Sequence, residues 1–235
     1  MKNIFEESLI WYKSQVEKND GNSLIRIEQL DNVVNSIGDK FNFNKIVCFE
    51  TGASANWADG GVGAFFAKAC ELSGGEFHSV DVSEDQVDKS IYFYSELNLS
   101  PQHYIQDSVK FLEQVEVVPN LVHLDSWDLD LHNPFPSALH GWNEFIAIED
   151  KMPIGSILII DDNFFKGSYV QWNYPNGESE HINIKYPIVG KGTNVWHFVE
   201  SGESNWTKLS QDHKGKNVKL VYQKIKTNNY KFHLV

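Results

Sequence analysis

Five short apolar runs that alternate with helical stretches constrain the fold of this chain more than any other feature. The runs begin at Ile46, Phe77, His103, Leu121 and Ser156, and they read IVCFE, FHSVD, HYIQD, LVHLD and SILIIDD. Short buried runs separated by helices are typical of parallel strands joined by right-handed crossovers. The pattern predicts an α/β protein with a Rossmann-like, doubly wound and mostly parallel sheet of seven strands.

The two ends of the chain depart from this alternation. Residues 1–38 have apolar residues at helical spacing and predict an N-terminal helical cap that ends at Gly38, leaving 39–235 as the α/β domain. Near the other end, VKLVYQKI at 218 and YKFHLV at 230 are separated by the turn-like TNN. These two runs predict a terminal antiparallel hairpin.

Composition limits the function classes that the chain can serve. Against 20 Lys and Arg there are 32 Asp and Glu, so the net charge of −12 argues against a nucleic-acid partner. No apolar stretch approaches the roughly 20 residues of a membrane span, so we expect no membrane partner. Cys48 and Cys70 lie in apolar contexts without a CxxC pair, which fits packed, reduced thiols and a cytoplasmic protein.

The residues that close the apolar runs are the first candidates for a ligand site, because open α/β sheets bind ligands beyond the carboxyl ends of their strands. The first run passes directly into TGASAN, where Gly52, Ala53 and Ser54 form a candidate tight turn before a helix. Glu50 is placed to accept from a cationic amino group. Asp81 closes the second run and is placed to bind a ribose diol.

The same turn does not match the dinucleotide fingerprint GxGxxG. Ser54 and Trp57 occupy the second and third glycine positions, so pyrophosphate binding loses its main support. The acidic Glu50 at the head of the turn favours a positively charged ligand without a phosphate.

The segment ETGASANWADGGVGAFFAKAC, followed by FHSVD, resembles motif I and the next acidic strand of class I S-adenosylmethionine (SAM)-dependent methyltransferases. The resemblance covers about residues 44–165 and implies that 39–235 is a SAM-binding methyltransferase domain. It implies three parts of a cofactor site, namely a methionine end, a ribose contact and an adenine contact. Their residues are, respectively, Glu50, Gly52 and Ser54; Asp81; and Asp107 with Ser108 in HYIQDS.

Acids also follow the fourth and fifth runs. Asp125 closes LVHLDSWD, while Asp161, Asp162 and Asn163 close SILIIDDN. Hard oxygen ligands from neighbouring strand ends suit Mg²⁺, and these segments resemble the metal site of the catechol and macrolide-sugar O-methyltransferases. Two pairings stay open for the fifth run, Asp161 with Asp162 or Asp162 with Asn163.

The general base is a separate question. The catechol-type enzymes carry a lysine three residues after the first metal acid, but this chain has Asp128 there. Asp128 and His132 are the candidate bases, and His140 is a weaker candidate. A bound divalent ion would lower the pKa of an acceptor hydroxyl, so that a nearby carboxylate or imidazole takes its proton.

The resulting hypothesis is a SAM-dependent O-methyltransferase that is assisted by a divalent metal and acts on a small-molecule or glycan hydroxyl. The segment of about 164–200 is predicted to be an acceptor-binding insertion, with Tyr169 and Tyr186 among the aromatics that could stack against a sugar or an aromatic ring. Its GKG at 190 is interpreted as a turn. A hydroxylase on the same fold and a non-catalytic SAM-binding protein are the alternatives. The helical cap at 1–38 could cover the site or form a homodimer.

Overall fold

The fold is described from a computed structural model at residues 2–19, 24–57, 61–173, 177–210 and 217–227. Its helices are α1 (Lys2–Asn19), α2 (Leu24–Ile37), α3 (Val62–Ser73), α4 (Glu84–Glu96), α5 (Ser108–Gln114), α6 (Phe135–Ile148) and α7 (Thr193–Glu200). Its strands are β1 (Val47–Thr51), β2 (Glu76–Asp81), β3 (Gln102–Ile105), β4 (Leu121–Leu124), β5 (Ile157–Phe165), β6 (Tyr169–Asn173), β7 (Ser179–Asn183), β8 (Ile188–Gly190), β9 (Trp206–Lys208) and β10 (Val218–Lys224).

The central sheet has the strand order β3-β2-β1-β4-β5-β10-β9, and β8 pairs with β5 beside this path. Strands β1 to β5 pair in parallel, whereas β10 runs antiparallel to both β5 and β9. The predicted Rossmann-like α/β sheet with a reversed last strand is therefore confirmed. The predicted hairpin partner at 230–235 lies outside the described residues.

The order places β1 and β4 at the centre of the sheet. The chain moves outward from β1 to β2 and β3, and then returns to the other side of β1 through β4. This reversal leaves a crevice beyond the carboxyl ends of β1 and β4, which is where doubly wound sheets bind ligands.

The N-terminal helices pack on one face of the sheet. Helix α1 packs against α3, and α2 packs against β10. Their buried apolar side chains, among them Phe5, Tyr12, Leu30 and Ile37, join the core formed with β1 and α3. Helices α1 and α2 are thus held to the rest of the fold by a shared core.

None of the helices in the described ranges combines the length and apolar character needed to cross a membrane.

Segment 164–200 contains a separate two-stranded sheet of β6 and β7, followed by β8 and α7. A small apolar cluster attaches it to the loop after β4, through Leu129, Leu131, Ile184 and Val189. Tyr169 stacks on His181 at 5.0 Å, and Tyr186 is exposed. Its role as an acceptor-binding insertion remains a prediction.

Candidate active site

A cleft of about 830 Å³ opens beyond the carboxyl ends of the parallel strands. The loop after β1 and the ends of β2, β3, β4 and β5 all contribute to its wall. The predicted site residues on this wall are Gly52, Ser54, Asp81, Asp107, Ser108, Asp125, Asp128, His140 and Asp162. Residues up to 110 positions apart in the sequence therefore meet in one cavity, and the site is built by the order of the strands.

The turn after β1 is closed on the cleft side by Gly52. Its backbone has φ +81°, and its N–H donates to Val80 O at 2.9 Å. A Cβ at this position would lie 2.7 Å from the backbone oxygen of Asp125. Only glycine fits both the left-handed backbone and this close approach of the loops after β1 and β4.

Asp81 holds the turn from the neighbouring strand. Its Oδ2 accepts from Ala53 N at 3.0 Å, and its Oδ1 accepts from Ser83 N at 2.8 Å. Gln86 Nε2 donates to Ala53 O at 2.8 Å, so the backbone of Ala53 is held through both its N–H and its carbonyl. The carboxylate of Asp81 faces the cleft with its orientation already set.

Glu50 lies beneath the turn, and it is not one of the described residues that line the cleft. It is fully buried, and it accepts from Ser54 Oγ at 3.0 Å and from Ser79 Oγ at 3.1 Å. The ring of His123, also fully buried, lies 3.6 Å away. Glu50 therefore supports the turn from below, which differs from the direct contact with the methionine end that the resemblance implies.

Residues after β3 and on α6 form another part of the cleft wall and its support. Asp107 caps α5 by accepting from Lys110 N at 3.0 Å, and Ser108 Oγ lies 3.0 Å from Nε2 of His140. That nitrogen is 3.4 Å from Glu144. Burial opposes the charged imidazole, but the hydrogen bond and charge of Glu144 outweigh burial and raise the pKa of His140.

An exposed aromatic ring stands beside this histidine. Trp127 is 57% exposed, and its ring centroid lies 5.2 Å from that of His140. Its backbone has φ +60°, which bulky residues rarely adopt. Asp162 on the same wall has φ +54°. Backbone strain of this kind concentrates at functional sites.

Lys191 lies between Asp125, which follows β4, and Asp162, which lies within β5. Its ammonium donates to Asp125 Oδ1 at 2.6 Å and to the backbone oxygen of Asp125 at 3.0 Å, and it lies 3.0 Å from Asp162 Oδ2. Burial disfavours the ammonium, but the two carboxylates outweigh that cost and raise the pKa of Lys191 well above its usual range. A permanent positive charge therefore occupies this point.

The other predicted metal ligands of β5 do not line the cleft. Asp161 is buried and bonded to Lys219, with Arg26 at 3.9 Å; these cations outweigh burial and hold its pKa far below the usual range. Asn163 is also buried; its amide nitrogen donates to Ile160 O at 3.0 Å, and its Oδ1 accepts from Gly192 N at 2.8 Å. The pairing of Asp162 with Asn163 is unsuitable for a metal, since the Asn163 oxygen is used inside the fold.

The residues present do not fit a divalent cation at this point. Mg²⁺ needs several oxygens at about 2.0–2.1 Å, and the ammonium of Lys191 stands where the oxygens of Asp125 and Asp162 converge. Atoms of His123, Asp125 and Asp161 also lie within 4.8 Å of one another. Both acids of that group, however, are already paired with lysines.

The two general bases predicted from the sequence, Asp128 and His132, lie in different parts of the structure. Asp128 is exposed and lines the cleft. His132 is not one of the described residues that line the cleft, and its Nε2 lies 2.5 Å from Glu180 of β7. His140 lines the cleft, but at the end of Asp107 and Ser108. This geometry gives His132 a contact between the loop after β4 and the segment of β6 and β7.

Among the cleft residues absent from the sequence-based site, three carry a charge or an aromatic ring: Arg26, Trp127 and Lys191. Arg26 belongs to α2, and nothing in the helical pattern distinguishes it from a surface cation. Lys191 belongs to the GKG that was interpreted as a turn; the two flanking glycines were the available signal, since they allow the backbone to approach β5 closely.

The fold matches that of several methyltransferases. A SAM-dependent methyltransferase from Clostridium acetobutylicum ATCC 824 is 11% identical, with 83% of this chain and 90% of that chain covered at a TM-score of 0.52. A Streptococcus mutans protein in complex with SAH is 13% identical, with 83% of this chain and 98% of that chain covered at a TM-score of 0.50. A ribosomal protein L11 methylase from Lactobacillus delbrueckii is 9% identical (88% and 82%, TM-score 0.50).

Comparisons by sequence add no further relatives: no protein-family model and no curated protein matches the chain. At identities this low, the structural similarity establishes the fold alone. The chain has the fold of SAM-dependent methyltransferases, and its cleft lies beyond the carboxyl ends of the parallel strands, where open α/β sheets bind ligands.

Proposed function

We propose that this protein is a SAM-dependent methyltransferase that methylates a hydroxyl group of a small molecule or glycan. The observation that carries the proposal is the single cleft in which the Gly52 turn, Asp81 and Asp107 face Asp125. Its acidic wall and the net charge of −12 disfavour a phosphate-rich acceptor.

In this proposal SAM lies across the ends of β1, β2 and β3. Asp81 binds the ribose diol, since its carboxylate is oriented by the turn and faces the cleft. Ser108 contacts the adenine, and the exposed ring of Trp127 offers a flat apolar surface beside it. The methionine end follows the backbone of Gly52 and Ser54, while Glu50 fixes Ser54 from below.

The methyl group then points toward the ends of β4 and β5. Methyl transfer from a sulfonium is an in-line displacement, so alignment of oxygen, methyl carbon and sulfur supplies much of the acceleration. Asp125 is the base that we favour, because it lies on the wall at this end and its orientation is fixed by Lys191. Asp128 is the second candidate. The acceptor oxygen loses its proton to the carboxylate as the carbon–oxygen bond forms.

Asp81→Ala is expected to weaken SAH binding by roughly 10- to 100-fold, because the variant loses the carboxylate that accepts hydrogen bonds from the ribose hydroxyls. Calorimetry on the wild type and the variant measures the change. Asp88→Ala, on the exposed face of α4, is the control and should bind like the wild type. Absence of SAH binding to the wild type would remove the proposed function.

The rate of methyl transfer is expected to fall as the pH drops below about 6. Burial raises the pKa of Asp125 to about 6; Asp161 and Asp162 add to this rise, while Lys191 and His123 oppose it. The base acts as a carboxylate, so activity rises with pH and levels off above that value. The pH profile is measured by the transfer of labelled methyl from SAM to a panel of sugars and catechols. A rate that is constant through pH 6 would argue against Asp125 as the base.

A further inference from the structure

We infer that Lys191 is the resident cation of the acceptor end, and that its ammonium holds Asp125 and Asp162 in place of a divalent metal ion. The inference rests on the proposed function and concerns how that site works. It assigns Lys191 as a positioning residue, and it makes methyl transfer independent of added metal.

The geometry uses the whole donor capacity of the ammonium. A lysine has three N–H donors, and three oxygens lie within 3.0 Å: Oδ1 and the backbone oxygen of Asp125, and Oδ2 of Asp162. A side chain that is 4% exposed in this setting has its charge fully engaged. Lys191 thus joins the loop after β4 to strand β5, as a bridging ion would.

The backbone around Lys191 is fixed independently of its side chain. Gly190 pairs with Asn163 in the β5–β8 ladder, and a Cβ there would lie 2.1 Å from Asp162 O. Gly192 donates to Asn163 Oδ1 at 2.8 Å, and Thr193 Oγ1 donates to Gly190 O at 2.8 Å. These contacts hold the lysine at the edge of the cleft, so its position follows from the fold.

The local charges balance without a metal. Asp125, Asp161 and Asp162 carry three negative charges at full ionisation, and the cations around them are Lys191, Lys219 and Arg26. A divalent ion would add two positive charges beside an ammonium that is already paired. Like charges at such a separation in a partly buried site repel strongly.

This arrangement also defines what is left for the acceptor. The ammonium binds Oδ1 of Asp125, so the second carboxylate oxygen can accept a hydrogen bond from the hydroxyl group that is to be methylated. Because the ammonium binds both the carboxylate and the backbone oxygen of Asp125, the carboxylate meets the acceptor in one orientation. A neutral hydroxyl donor matches such a site better than an anionic group does.

Removal of the lysine should convert the site into a metal site. In Lys191→Ala the carboxylates of Asp125 and Asp162 face each other around a vacated volume, so Mn²⁺ is expected to bind there at least about 10-fold more tightly than to the wild type. The probe is MnCl₂ added to metal-stripped protein, with the signal of the free aqueous ion followed by electron paramagnetic resonance. Lys191→Arg keeps the charge and should behave like the wild type.

Two further arms make the result specific. Lys191→Ala combined with Asp125→Asn should lose the gained Mn²⁺ site, and methyl transfer by the wild type should be unchanged by EDTA. The inference would be overturned if the wild type bound one equivalent of Mn²⁺ and Asp125→Asn abolished that binding. Binding through His123, Asp125 and Asp161 would count as such a result. So would a folded Lys191→Ala that takes up no Mn²⁺.

The titration of the wild type decides the question by itself if Lys191→Ala does not fold. Thermal melting and SAH calorimetry establish whether the variant is folded. Failure of the wild type to bind SAH would remove the proposed function, whereas the contrast in Mn²⁺ binding would still report on Lys191. The two failures are therefore distinguishable.

Discussion

Replacing Asp125 by asparagine is expected to lower kcat for methyl transfer by about 100- to 10,000-fold, the range over which a general base contributes. Asparagine keeps the size of the side chain, and its oxygen can still accept from Lys191, but it cannot take a proton from the acceptor. The rate is measured with labelled SAM and an acceptor selected from the panel of alcohols.

The affinity for SAH separates this loss from a structural one. Asp125 is not among the residues proposed to bind SAM, so Asp125→Asn should bind SAH within a few-fold of the wild type. Asp39→Asn changes an exposed acid before β1 and is the matched control. A variant that retains more than about one tenth of the activity would assign the base to another group, with Asp128 next in line.

Replacing Glu50 by alanine is expected to destabilise the fold by roughly 3–5 kcal/mol, which corresponds to a fall in Tm of about 10 °C for a chain of this size. Glu50 is fully buried, and its loss would leave Ser54 Oγ and Ser79 Oγ without their acceptor and would remove one of the two carboxyl groups beside His123. Unfolding by urea, followed by circular dichroism, measures the change in free energy.

Two companion variants sharpen that result. Glu50→Gln retains acceptor oxygen and volume, so it should lose less stability than Glu50→Ala. Glu96→Ala removes an exposed acid at the end of α4 and should leave the stability within about 0.5 kcal/mol of the wild type. Equal stability of Glu50→Ala and the wild type would show that Glu50 is not the support of the turn.

The role of Glu50 illustrates where sequence reasoning stops. Its place at the end of an apolar run predicted a carboxylate beside the ligand, and the run did form β1. The side chain points below the turn, because β2 and β4 on either side carry Ser79 and His123 at matching register. Which groups face one another across a sheet depends on strand order, and that order is not visible in a single strand.

The pair of acids in β5 shows the same limit. The sequence left Asp161, Asp162 and Asn163 as alternatives, and only Asp162 lines the cleft. Its positive φ interrupts the regular strand between Asp161, which is bonded to Lys219, and Asn163, which is bonded within the fold. Counting residues along a regular strand cannot locate such an irregularity.

The sequence by itself determined the alternation of strands and helices, the glycine turn after β1, and the edge of the sheet at which Asp81, Asp125 and Asp162 gather, since these follow from local patterns and from the direction of parallel strands. The tertiary structure alone decided that Lys191 reaches Asp125 and Asp162 from the turn between β8 and α7, and that Arg26 reaches Asp161 from an N-terminal helix. Long-range pairing of charges depends on how the chain packs, and a cation close in space to its partner can be far from it in sequence.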